Sequence, residues 1–158
     1  MKNVLPLFFL ILSFNSYAQV NPVMPPEATS FYNGAMQKIK PELKAIIEKN
    51  ANKLKGRIVN IDSLSVELHK DSFLKNRNKG DLQAIVILIM VQISKNADAD
   101  LKNLVIHMHK KRDQNDNTNS QETMVENILA NKRQIAENVS SVMETLPGLT
   151  PTLIDELK

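Results

Sequence analysis

The stretch GDLQAIVILIMVQISKNADADLKNLVIHMHKKR, residues Gly80–Arg112, decides the fold, because it holds the densest apolar block beyond the N-terminal segment Met1–Ala18. From Ala84 to Ile93 every position is apolar except Gln92. Such a run suits a helix buried nearly all round or a fully buried strand, and periodicity alone does not separate them. Three features select helix. Leu82, Val86, Ile89, Ile93, Ala97, Leu101, Leu104 and Met108 follow in steps of three or four, carrying an apolar stripe well past strand length. Gly80 and Asp81 supply a breaker and an N-cap oxygen at the start. Lys110, Lys111 and Arg112 place positive charge at the end, where a helix dipole is negative. The strand reading rests on the Ile and Val content. Within the helical reading, Asn96-Ala97-Asp98 has turn chemistry, so both one helix and two are compatible with residues 81–112. The block from Ala84 to Ile93 is shorter than the roughly twenty apolar residues a bilayer needs, and it reads as core.

Downstream, Asp113–Ser120 (DQNDNTNS) offers nothing to a core and reads as a loop. Asn119 or Ser120 caps the next helix, and Asn119 with Glu122 has capping-box spacing. Val125, Ile128, Lys132, Ile135, Val139, Val142 and Leu146 then form a narrow heptad seam, with Lys132 as its one charged break. Pro147-Gly148 ends that helix, and Thr150-Pro151 opens a last helical turn through Leu157.

Upstream, Lys2, the apolar centre Val4–Phe14 and the small residues Ser16 and Ala18 have the layout of a secretory signal peptide cleaved before Gln19. The reading is therefore a signal peptide over 1–18, a Pro-rich extended arm over 19–26 and a single helical domain over 27–158. In that domain Phe31, Ala35 and Ile39 share a helical face until Pro41 breaks and restarts the helix. Leu43, Ile46, Ile47, Asn50 and Leu54 mark the next face, with Gly56 as the stop. Residues 57–76 are open to two readings. Leu64, Val66 and Leu68 alternate with polar residues as in a strand, whereas Ile61, Leu64, Leu68 and Phe73 share a helical side with Asp62 or Ser63 as cap. Helix is preferred, since a lone strand has no partner run. Lys75–Gly80 is a polar turn. The sum is an all-α fold, a small antiparallel bundle of four to five helices with Gly80–Arg112 at its centre.

Removing the leader takes four of the seven aromatics, leaving Phe31, Tyr32 and Phe73 and an otherwise aliphatic core. It also removes Lys2, so the basic count falls from 20 to 19 against 17 acidic residues. That balance gives no support for nucleic acid or an anionic membrane as partner. With no cysteine in the chain, an exported protein has no disulfide, thiolate or Cys-ligated metal, and holds together by packing. The export signal and the Asn/Lys/Ile-rich composition point to a bacterial periplasmic or extracellular protein.

Chemistry-bearing constellations are few. His107, Met108 and His109 bring imidazole and thioether together, and His107 and His109 are the candidate metal ligands, with zinc or copper as the ion. Residues two apart on a helix point about 200° apart, which favours instead two helix-terminal histidines facing the dipole. Asn96/Asp98/Asp100 and Asp113/Asn115/Asn117 alternate like the first ligands of a calcium loop. Leu101 and Thr118 stand where glycine is required, and His107 and Met124 where the bidentate acid is required, so both fail the pattern. The four glycines form neither a nucleophile turn nor a phosphate loop. Asp62-Ser63-Leu64 resembles the Asp-Ser/Thr-apolar acceptor glycosylated on some exported bacterial proteins, and equally an N-cap.

The sequence therefore points to a non-enzymatic binding protein without a cofactor. Its partner is an unknown protein or a second copy, met through Val125, Ile128, Ile135, Val139, Val142 and Leu146. The alternatives are a periplasmic metal-binding or metal-sensing protein using His107 and His109, and a carrier of an apolar small molecule.

Overall fold

A computed structural model describes residues 23–57, 59–112 and 119–146, excluding the side chains of 109–112 and 119. Residues 1–18, read as a signal peptide, the first part of the expected arm, residues 113–118 of the expected loop and the expected last turn at 151–157 lie outside the described residues. Five helices make up the described fold: α1 (Pro26–Lys38), α2 (Pro41–Lys53), α3 (Ile61–His69), α4 (Lys79–Arg112) and α5 (Asn119–Thr145). The described residues contain no strand.

Helix boundaries follow from local chemistry. Pro26 and Pro41 open α1 and α2 at positions where a missing N–H costs nothing. Between them Ile39 and Lys40 are extended, because proline disfavours helical backbone in the residue before it. Leu43, Ile47 and Ala51 put one buried stripe along α2. Gly56, at φ 68°, takes the left-handed backbone that ends this part of the chain. The helical reading of 57–76 holds for Ile61–His69, but its cap is Asn60, two residues before Asp62 and three before Ser63. The Ser63 backbone N–H donates to Asn60 Oδ1 at 2.8 Å. Leu64 and Leu68 are buried beneath it, and Val66, which alternation would pair with them, is exposed.

α4 likewise starts one turn before the expected cap. The Asp81 backbone N–H donates to Asn78 Oδ1 at 2.9 Å, so Asn78 is the cap and Gly80 lies inside the first turn. Asp81 is instead a buried carboxylate, with Arg77 Nη1 3.8 Å from its Oδ2. From there α4 runs unbroken for 34 residues, and Asn96-Ala97-Asp98 does not turn. Lys79–Met108 is long and apolar enough to cross a membrane by length and composition. The length argument from Ala84–Ile93 therefore fails, because the helix carries its apolar character on past that block. What marks α4 as core is coverage: Ala84–Met90 are fully enclosed, and Val91 and Ile93 nearly so.

The other four helices each pack on α4, while contacts among them are slight in the described residues. The core is aliphatic apart from Phe31 and Tyr32, and Leu74, in the turn before α4, is wholly buried in it.

Candidate functional site

The heptad seam of α5 faces inward. Val125, Ile135, Val139 and Val142 are buried, and Ile128 and Leu146 are half-buried. Ile135, Val139 and Val142 belong to the same core as the apolar block of α4, with Leu146 packed at its edge. The face expected to meet a partner is thus occupied by this chain itself, because α4 presents a long apolar surface that α5 covers. The charged break at Lys132 is only 4% exposed, and its ammonium pairs with Asp98 of α4. A buried cation requires such a partner.

Beyond Asp98 the coverage of α4 changes. On the α2 side the farthest described bridge is the ion pair from Lys55 Nζ to Asp100 Oδ2, 2.7 Å long. Past it the chain has turned away at Gly56, and no residue from Lys95 to Met108 is buried. A groove of about 780 Å³ opens there between α4 and α5. Ile93, Ala97, Leu104, Met124 and Ile128 supply its apolar surface, and Asn103, His107, Asn127 and Asn131 its polar surface. Lys55, Gly56 and Asp100 border it where α2 ends. Met124 is 53% exposed, an apolar side chain held in solvent. The groove falls in the volume range of ligand sites, with apolar walls and a few polar groups.

The polar wall has a structural counterpart lower on α5. Asn131 Nδ2 donates to the Arg57 carbonyl at 2.7 Å, and Asn138 Nδ2 donates to the Val59 carbonyl at 3.1 Å. Two side-chain amides thereby tie the connection between α2 and α3 to α5. The seam reading missed them, yet Asn127, Asn131 and Asn138 recur at helical spacing on one face of α5, a stripe visible in the sequence.

His107 stands exposed at the groove, and the side chain of His109 lies outside the described residues. Among the described residues no group of three or more His, Asp or Glu side chains comes together to hold a metal ion. Asp98 and Asp100 point to different neighbours, Lys132 and Lys55, so the alternating acids of α4 do not converge.

On another side of α4 the Tyr32 hydroxyl donates to Gln92 Oε1, and Gln92 Nε2 donates to Asn96 Oδ1 at 2.9 Å. Lys95 Nζ sits 5.0 Å from the Tyr32 ring centroid. Burial, with Glu48 adding to it, raises the Tyr32 phenol above its usual range. These contacts fasten α1 to α4. At the surface, a hydrogen bond and ion pair from Lys53 hold the Glu67 carboxyl below the usual carboxylate range. No known protein family, curated protein or solved structure matches the chain.

Proposed function

We propose that this is an exported, non-enzymatic binding protein of the bacterial envelope, and that it binds a segment of a partner protein in the groove between α4 and α5. One observation carries the reading: the apolar stripe of α4 continues through Ala97, Leu101, Leu104 and Met108, none of them buried, beside the groove that opens against α5. Apolar surface left open beside a packed core, with polar groups around it, is where binding sites form. The same placement moves the interaction face from the seam as a whole to its edge, where Ile128 meets Met124 and Leu104. An antiparallel α4–α5 pair fits this reading, since Asp98 meets Lys132 while Leu104 and His107 share the groove with Met124 and Ile128. Export rests on the leader, and its test is the intact mass of the mature protein, expected to begin at Gln19.

Methyl NMR tests the groove. On titration of the mature protein with a pool of uncharged, apolar-rich peptides, shifts are expected at Leu104, Met124 and Ile128 and not at Val66, exposed on α3. Shifts confined to other faces, or none, contradict the proposal.

A further inference from the structure

We infer that the occupant of the groove is an extended polypeptide segment, uncharged and rich in apolar side chains, held by its main chain between Asn127 and Asn103. The inference rests on the binding role just proposed and names what fills that site.

The fold already contains one such interaction. Asn131 and Asn138 donate to the carbonyls of Arg57 and Val59, in the connection between α2 and α3. Asn127 stands one turn beyond Asn131 on the same face, at the groove. Asn127 and Asn131, four residues apart, are separated by a rise of about 6 Å, close to the roughly 6.6 Å at which same-side carbonyls of an extended chain repeat. Asn127 and, across the groove, Asn103 have exposed amides with no hydrogen bond to other described residues. Each amide offers both donor and acceptor, which suits a peptide bond.

Charge points the same way. Lys55 is paired with Asp100, and the remaining polar lining is asparagine and one histidine. Nothing there selects an acidic or basic ligand, whereas Ile93, Leu104, Met124 and Ile128 favour apolar side chains. From Asp100 to His107 α4 rises about 10 Å, which an extended chain covers in about three residues. The segment recognised is therefore short, and it prolongs an interface the protein already uses on itself.

The test uses the mature full-length chain and a dye-labelled, end-capped heptapeptide of alternating Val and Thr, read by fluorescence anisotropy. A second peptide carries an ester in place of its central amide, which weakens one carbonyl acceptor. Saturable binding is expected, weakened about fivefold by Asn127→Ala, by Asn103→Ala or by the ester, the worth of one hydrogen bond. Leu104→Asp, with circular dichroism unchanged, is expected to abolish it. Peptide binding lost in Leu104→Asp but indifferent to both asparagines and to the ester overturns the main-chain grip and leaves the groove reading standing. Binding of an apolar dye, lost in Leu104→Asp and accompanied by no peptide binding, overturns the extended occupant in favour of a small molecule. A dimer in sedimentation that Leu104→Asp dissociates and the peptide does not displace overturns it in favour of a second copy. A monomer that takes neither peptide nor dye removes both this inference and the binding role of the groove.

Discussion

Leu82–Ile93 and Ala97–Met108 are two stretches of equal length on one unbroken helix, and they live in different surroundings. In the first, only Gln83 and Gln92 escape burial. In the second, no residue is buried, although Ala97, Leu101, Leu104, Val105, Ile106 and Met108 are apolar and Ile106 is 46% exposed. The difference lies in the neighbours more than in the helix. α1 reaches α4 at Lys95 and the α2 end of the chain reaches it at Asp100, while residues of α5 flank it across the groove as far as His107. An apolar stripe therefore records which surface a helix offers, and the lengths of the neighbouring helices decide how much of it is covered. Where cover stops, apolar surface is left open.

The largest expected contrast is in stability. Ile89→Ala empties a site enclosed on all sides and should cost about 2–5 kcal/mol, whereas Leu104→Ala trims a half-covered side chain and should cost less than about 1 kcal/mol. Urea denaturation of the two variants measures both, and equal losses would erase the distinction between the stretches. Next comes the start of α4. Asn78→Ala removes the side chain that accepts the Asp81 N–H and should cost about 1 kcal/mol, with Asp81→Asn leaving that cap in place. A neutral Asn78→Ala would show that packing alone fixes where the covered half begins.

Smaller effects lie in the pH dependence. The Tyr32 phenol titrates higher in the folded than in the unfolded chain. Its contribution is complete below the ordinary phenol value of about 10 and is lost as pH rises through the folded value. Thermal melts should therefore fall on the alkaline side, and fall less in Tyr32→Phe. Glu67 has the opposite sign: its folded value is depressed, so its contribution is present above the ordinary carboxylate value of about 4.3 and is lost as pH falls through the folded one. Because this carboxyl is exposed, Glu67→Gln should remove only a slight acid-side dependence, measured by the same melts.

Much of this architecture could be read from residue order. The alternation of prolines, the polar turn before α4 and the steps of three and four along α4 and α5 place the helices, since each depends on chemistry within a few residues. Asn60 and Asn78 were missed as caps because Asp62 and Asp81, two and three residues later, are also good capping residues, and only backbone geometry decides between them. The groove was invisible for a different reason. Leu104 and Ile128 obey the same periodicity as Ile89 and Ile135, and nothing local says that α2 ends before reaching them. The asparagine stripe of α5 was present in the sequence, but an exposed amide acquires meaning only once a main chain lies against it.

The unequal cover of α4 is most directly tested by native-state hydrogen exchange along that helix. Amides of residues 84–93 should exchange only through global unfolding, while those of 101–108 should exchange through a local opening of much lower free energy and gain protection when the Val/Thr heptapeptide is added. Uniform protection along the whole of α4, unchanged by the peptide, would contradict the account.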